Sequence, residues 1–264
     1  MNIAWFSCGV TSAVACKIAL KNLSDVHVIY IDTRTCHIDN VRFIRDCEKW
    51  YGVQIERYTN EKYNGVFDVI QKRKFINSPH GAVCTYELKK KVRFLIEKKY
   101  ANFEHQIFGF DFCKKEINRA IRFEQQYPNA RPLFPLIENG ITKEKCFAIL
   151  QKAGIQTPAM YTLGFPNNNC IGCVKGGMGY WNLIRKKFPL QFSQMAKIER
   201  DLGATCIRKN GKPFYLDTLK ENDGVLKRLD IPECDLFCEV EFQNIIDPLT
   251  NIIYKQNVNK NFSI

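Results

Sequence analysis

Three short stretches of this 264-residue chain gather residue types that do chemistry. In NNNCIGCVKGG, Cys170 and Cys173 present two thiolates from one turn, the spacing by which zinc sites and iron-sulfur clusters take half their ligands. Lys175 follows, a cation of the kind that lowers a thiol pKa. The same pair also suits a redox dithiol or a structural loop. In PECDLFCE, Cys234 and Cys238 make a second pair. In WFSCGVTSAVA, an apolar run ends at Phe6, passes through Ser7, Cys8, Gly9, Val10, Thr11 and Ser12, and resumes as a helical pattern. A tight turn of small residues aims several backbone N–H groups at one point, and a helix N-terminus adds positive partial charge. Phosphate or sulfate is its natural occupant, with the Ser7, Thr11 and Ser12 hydroxyls as further donors. The competing reading is an ordinary turn in which Ser or Thr caps the helix. The hexapeptide is neither a Walker loop nor a dinucleotide fingerprint.

These stretches need elements to position them. Strand-like NIAWFS, VHVIYID, VQIERY, QIFGF and RPLFPL alternate with helical TSAVACKIALKNL, DNVRFIRDCEKWYG, CTYELKKKVRFLIEKKY and KKEINRAIRFEQQY. In DNVRFIRDCEKWYG, the residues Val41, Ile44, Cys47 and Trp50 recur at helical spacing. The order predicts an α/β fold, a five-stranded, mostly parallel, doubly wound sheet with a cysteine-containing C-terminal extension. The expected divisions are 1–157 for the sheet domain, 158–242 for an extension packed on the same core, and 243–264 for a tail. Ligands of such sheets bind beyond the carboxyl ends of the strands. The segments to watch are therefore Ser7 to Ser12, Asp32 to Asp39 and Gly109 to Arg119.

Composition bounds the partners. Apolar residues make up 45% and charged residues 25%, the balance of a globular protein. No apolar run is long enough to span a bilayer, and the N-terminus lacks the order of a signal peptide, which predicts a cytoplasmic protein without membrane contact. The net charge of +12 favours polyanionic partners, nucleotides or nucleic acid, although a solvated basic surface has the same composition. Twelve cysteines in such a chain argue against a disulfide framework. Cys16, Cys47, Cys113, Cys146 and Cys206 fall in helix-like or strand-like stretches and need no chemistry.

WFSCGVTSAVA resembles the PP-loop of the ATP pyrophosphatase superfamily, S-G-G-x-[DT]-S after the first strand, in its phosphoadenosine phosphosulfate (PAPS) reductase-like branch. HGAVCTYELKKKV is similar to that branch's Cys-Thr-x-x-Leu-Lys segment. IFGFDFCKKEINRAIRF resembles its glycine-then-arginine segment, and PLFPLIENGITKEKCFAILQKAGI its Pro-Leu and Thr helix start. Order and spacing agree over roughly residues 2–190. Cys8 stands where the family usually has glycine, and Val10 and Thr11 replace Lys-Asp, which removes a charged phosphate contact.

The resemblance implies an enzyme, an oxidoreductase or sulfur transferase, that binds an adenine nucleotide, ATP or adenylyl sulfate. It implies nucleotide contacts at Ser7, Cys8, Gly9, Val10, Thr11, Ser12, Asp32, Thr33, Gly109 and Arg119, with Lys89 on an anion and magnesium accompanying ATP. Lys90 and Arg122 are softer candidates, and the loop residues His37 and His80 have no assigned role. It also implies a [4Fe-4S] cluster, or alternatively zinc, on Cys84, Cys170, Cys173 and Cys238, with Cys234 as a substitute fourth ligand. PECDLFCE resembles the family's Glu-Cys-Gly-Leu-His motif, whose cysteine attacks sulfur. Cys234 takes that place, but Asp235 replaces glycine and the histidine is missing. Three functions follow as expectations. One is sulfur reduction or transfer, with a thiol or sulfur-donor protein as partner. Another is ATP-dependent adenylation and thiolation of a tRNA or DNA base. The last is non-catalytic nucleotide or nucleic-acid binding with structural zinc.

Overall fold

A computed structural model describes residues 1–78 and 81–226. Cys234, Cys238, His80 and the tail therefore lie outside the described residues. In chain order the first half comprises β1 (Asn2–Trp5), α1 (Val10–Asn22), β2 (Val26–Asp32), α2 (Asn40–Tyr51), β3 (Glu56–Thr59) and α3 (Val66–Arg73). A short antiparallel pair, β4 (Asn77–Ser78) and β5 (Gly81–Ala82), leads to α4 (Val83–Thr85), a π-helical turn at Tyr86–Lys90 and α5 (Lys91–Lys99). Then come β6 (His105–Ile107), α6 (Lys114–Gln126), β7 (Pro132–Leu133), α7 (Pro135–Glu138), α8 (Lys143–Lys152) and α9 (Ala159–Thr162). The chain continues through α10 (Met178–Lys187), α11 (Pro189–Leu202) and a hairpin of β8 (Ile207–Lys209) and β9 (Lys212–Phe214).

The main sheet has strand order β3-β2-β1-β6-β7, and every pairing in it is parallel. The expected five-stranded doubly wound sheet is present. Alternation along β1 shows why both faces are covered. Ile3 and Trp5 point to one face with Ile29, Ile31, Phe108 and Phe123, beneath α5 and α6. Ala4 and Phe6 point to the other with Val14, Phe43 and Tyr51, beneath α1, α2 and α8. Phe6 stacks on Phe43 at 6.0 Å between ring centroids, and burying a ring of this size contributes roughly 1.5–3 kcal/mol. A third apolar cluster joins α3 and the π-helical segment to α10 and α11 around Trp181. It draws on residues before and after 158 alike, among them Phe67, Leu88, Trp181 and Met195.

Three local expectations shift. The stripe on α2 rotates: Phe43, Ile44, Cys47 and Tyr51 are buried while Val41 is exposed, because the α1 surface accepts the larger rings. The single helix expected over CTYELKKKVRFLIEKKY is interrupted by the π-helical turn, a feature that tends to mark functional positions. Helix α3, whose apolar Val66, Phe67, Val69 and Ile70 are all buried, adds an element that the strand-helix reading omitted.

Candidate functional site

The sheet reverses its winding between β1 and β6: β1, β2 and β3 run outward on one side, and β6 and β7 lie on the other. A crevice opens there at the carboxyl ends of the strands, where open parallel sheets take ligands. It encloses about 720 Å³ of non-protein space, part of it open solvent. Trp5, Tyr30, Phe108 and Phe110 give it aromatic walls. Ser7, Ser12, Lys89, Asn168 and Asn169 give it polar ones.

Ser7 to Ser12 forms the floor. Helix α1 takes Gly9 as its N-cap without a side-chain cap bond, so the capping-hydroxyl reading of this stretch is not realised. Instead Ser12 Oγ accepts from the Ser7 N–H at 3.1 Å and from Ser7 Oγ at 3.0 Å, and donates to the Gly9 carbonyl at 3.0 Å. The two hydroxyls at the pocket wall thus hold each other in place. Cys8 keeps the left-handed backbone that glycine would take, with φ of 64°. Its side chain turns into the core, with Sγ 3.9 Å from the Asn40 carbonyl, and does not line the pocket. Burial, followed by the neighbouring Cys36 and Cys47 thiols, pushes the Cys8 thiol well above its ordinary value. Val10 and Thr11 are buried in α1 and line no part of the pocket, so any contact from them would be through the backbone. The Val10 N–H already donates to the Tyr161 hydroxyl at 3.4 Å.

Gly109 makes the crevice possible. A Cβ there would lie 2.6 Å from both Cα and N of Ser12, so only glycine lets the chain after β6 rest against the loop. Asn168 locks the loop from the opposite side, donating from Nδ2 to the Cys8 carbonyl at 2.7 Å and to Asn40 Oδ1 at 2.9 Å. The sequence model of the phosphoadenosine phosphosulfate reductase domain matches residues 2–176, which includes the sheet, the loop and Asn168.

The chain belongs to that family. An uncharacterized protein of Methanocaldococcus jannaschii is 25% identical over 213 residues, covering 74% of this chain and 41% of that protein. The chain thus spans less than half the length of that relative. The crystal structure of the phosphoadenylyl-sulfate reductase of Candida auris, a phosphate complex, aligns at a TM-score of 0.45 and 13% identity over 64% of this chain and 80% of that one.

Within this reductase-domain fold, the other expected residues divide. Thr33 and Lys89 reach the pocket wall, Lys89 from the π-helical turn. Lys90 instead lies over the Phe94 ring at 5.9 Å. Asp32 ends β2 and accepts from the Arg34 N–H at 2.8 Å, away from the pocket lining. Arg119 is 1% exposed, pairs with Glu116 at 3.2 Å and sits 4.5 Å over the Phe110 ring, one layer behind the wall. Neither Arg119 nor Arg122 lines the pocket. His37 accepts the Asp39 N–H on Nδ1 at 3.2 Å, a turn contact.

The cysteines regroup. Cys170 lines the pocket beside Cys36, which lies in the segment Asp32 to Asp39 but belongs to no spaced cysteine pair. Thr33 Oγ1 lies 3.0 Å from Cys170 Sγ and 3.4 Å from Cys36 Sγ. The Cys170 thiol hydrogen-bonded to Cys36, with Thr33, Tyr30 and the Lys89 charge, brings the Cys36 thiol down to about 6, against the opposing effect of burial. Two backbone anchors hold the partner loop. The Ile171 N–H donates to the Thr35 carbonyl at 2.9 Å, and the Tyr180 hydroxyl bridges the Cys170 carbonyl and the Cys173 N–H at 3.1 and 2.8 Å. Cys173 and Cys84 contribute to the neighbouring apolar cluster, Cys173 as a buried residue. Among the described residues no three His, Cys, Asp or Glu side chains are grouped to hold a metal ion. Cys234 and Cys238, either of which was expected to complete the set, lie outside them.

Of the five cysteines read as needing no chemistry, Cys16, Cys47 and Cys146 are fully buried, while Cys113 and Cys206 are partly exposed. No described helix is long and apolar enough to cross a membrane.

Proposed function

We propose that the crevice binds an adenine nucleotide, ATP or adenylyl sulfate, and that the chain is an enzyme of sulfur transfer or reduction. The observation that carries this reading is the polarity of one continuous pocket. Ser7 and Ser12 from the loop after β1 and Lys89 from the π-helical turn line it with polar groups, and Trp5, Tyr30, Phe108 and Phe110 offer flat apolar surface for a base. Backbone N–H groups at the start of α1 would meet the phosphates, and Lys89 would supply the charge that Val10 and Thr11 do not.

Calorimetric titration of the full chain with AMP, ATP, adenylyl sulfate and PAPS tests the binding. Saturable binding that Ser12→Ala weakens supports it, and no binding of any of the four removes it. Sulfite release from adenylyl sulfate or PAPS in the presence of a dithiol separates reduction from mere binding. Iron, sulfide and zinc counts on anaerobically purified protein test the cluster and the zinc alternative.

The net charge of +12 favours a second reading, ATP-dependent adenylation and thiolation of a tRNA or DNA base. Pyrophosphate or AMP release that depends on added tRNA or DNA selects it. Nucleotide binding without turnover on either substrate leaves the non-catalytic binding module.

A further inference from the structure

One outer face of the molecule combines charge and exposed rings that a nucleotide in the crevice does not use. We infer that the π-helical turn, α5 and the end of α3 form a docking surface for an unpaired loop or end of an RNA. The inference builds on the second reading above, in which a nucleic-acid base is the substrate, and assigns the surface that presents it.

Charge is the first observation. Residues 61–100 hold ten Lys and Arg against four Asp and Glu, a surplus that is half of the chain's net +12. Each of the four acids already meets a cation: Asp68 pairs with Lys72 at 2.9 Å, Glu61 with Arg34, Glu97 with Arg93 at 3.6 Å, and Glu87 with Arg73 at 3.4 Å and Lys91 at 2.8 Å. What remains is a positive field that suits a polyanion.

Exposed rings are the second. Among the described residues the exposed aromatic side chains are Phe75, Tyr86 and Phe94, at 44%, 47% and 44%, and all three fall in this segment. A merely solvated basic helix has no use for them, whereas bases stack on such rings whatever their sequence. Each ring of the helix also has an ammonium group beside it, Lys91 Nζ at 5.1 Å from the Tyr86 centroid and Lys90 Nζ at 5.9 Å from that of Phe94. One nucleotide can thus place its base on the ring and its phosphate on the cation.

Placement is the third. Helix α5 packs Val92 and Ile96 against the sheet and leaves Phe94, Leu95 and Lys98 exposed. Tyr86, Lys90, Phe94 and Lys98 follow one another every four residues. At ~1.5 Å of rise per residue the two rings stand about 12 Å apart along the axis. The Glu87 carboxylate, bridging Arg73 and Lys91, draws the end of α3 against this stripe, and the Val83 N–H donates to the Ile76 carbonyl at 3.4 Å beside Phe75. Lys89, from the same π-helical turn, lines the crevice, so the face leads into it.

The mixture selects the partner. Protein interfaces are depleted of lysine at their centre, and a helix lying in a membrane needs an apolar face unbroken by charge. A duplex keeps its bases stacked inside, and unstacking one costs a few kcal/mol. Loops and ends of a folded RNA present bases already splayed out.

Fluorescence anisotropy of the full chain tests this with a labelled RNA stem-loop carrying a wide unpaired loop, a fully paired RNA duplex of equal length and a single-stranded DNA of the loop sequence. The stem-loop should bind more tightly than the duplex and at least as tightly as the DNA, with an affinity that falls as salt rises. Tyr86→Ala and Phe94→Ala should each weaken it roughly tenfold and leave the salt slope unchanged, because stacking releases no counterion. Lys74→Gln and Lys98→Gln should each weaken it and lower the slope by about 0.7. Lys49→Gln, exposed on α2 across the sheet, should change neither. Thermal unfolding checks that every variant is folded.

A duplex bound as tightly as the stem-loop, or ring variants that bind like the wild type, overturns the surface. Tighter binding of the DNA overturns RNA as the partner. Capture by phosphatidylserine vesicles without RNA binding, or a sedimenting dimer that Phe94→Ala dissolves, gives the face to another occupant and overturns it as well. The surface and the thiolation reading fail separately. RNA bound through these residues without RNA-dependent release of AMP or pyrophosphate removes the reading and keeps the surface. RNA-dependent release whose KM for RNA is the same in Tyr86→Ala and Phe94→Ala as in the wild type removes the surface and keeps the reading.

Discussion

The loops after β1 and β2 leave adjacent parallel strands at the same end of the sheet, and each carries a cysteine. Cys8 turns inward at 0% exposure, in a left-handed backbone conformation, among apolar neighbours. Cys36 turns toward the crevice and meets hydrogen-bond partners from Cys170, Thr33 and Tyr30. The same side chain is thereby pushed in opposite directions: burial without donors disfavours the thiolate, and convergent donors favour it. One loop packs its cysteine into the core, and the other presents it to the crevice.

Alkylation should show the largest contrast. At pH 7 iodoacetamide should label Cys36 early and leave Cys8 unlabelled until the chain unfolds, read by peptide mass spectrometry. A Cys36 pKa of about 6 gives roughly thirtyfold the thiolate fraction of an ordinary cysteine near 8.5. The Cys36 rate should fall as pH drops through about 6, because a depressed thiol is protonated only there. By linkage, the stability this group contributes is fully present above the ordinary cysteine value and declines as pH falls through about 6. Equal labelling of the two cysteines would break the comparison.

Gly109→Ala should come next. With Ser12 backbone atoms 2.6 Å from the new Cβ, the floor or the strand end must move. Chemical denaturation should show a loss of about 1–3 kcal/mol. Nucleotide affinity should weaken by roughly tenfold for each ~1.4 kcal/mol lost from the site. Asn168→Ala removes the donor that holds the Cys8 carbonyl and Asn40, and leaves a buried acceptor unmet. A stability loss of about 1–2 kcal/mol is expected, with Cys36 alkylation little changed. Cys8→Gly should matter least. It relieves a left-handed residue costing ~1 kcal/mol and gives up a buried thiol of similar worth, so unfolding should shift by under ~0.5 kcal/mol.

Much of the frame was legible in the sequence. Apolar β-branched runs alternating with helical patterns specify a parallel sheet, since each strand must return on the same side by way of a helix. Ser7, Ser12, Thr33, Lys89, Gly109 and Cys170 were singled out and all meet at one crevice. Cys36 was not, because a single cysteine in a loop has no spacing to read. Nor were Asn168 and the aromatic walls, whose roles depend on what faces them. Conversely, the resemblance gave Arg119 a nucleotide contact, yet the Glu116 and Phe110 partners one turn or one strand away place it a layer behind. Helix α3 escaped notice because its eight residues hold only a short apolar face.

The sequence by itself determined the fold class and the net positive charge, because these depend on periodicity and composition, while the expected phosphate loop came from the resemblance of its first turn to a PP-loop. Only the tertiary structure decided which thiols meet. Cys36 and Cys170 stand far apart along the chain and come together through Thr33 and the bond from Ile171 to Thr35. Sequence patterns encode local geometry, whereas a site built between two loops is fixed by packing between elements that no spacing rule connects.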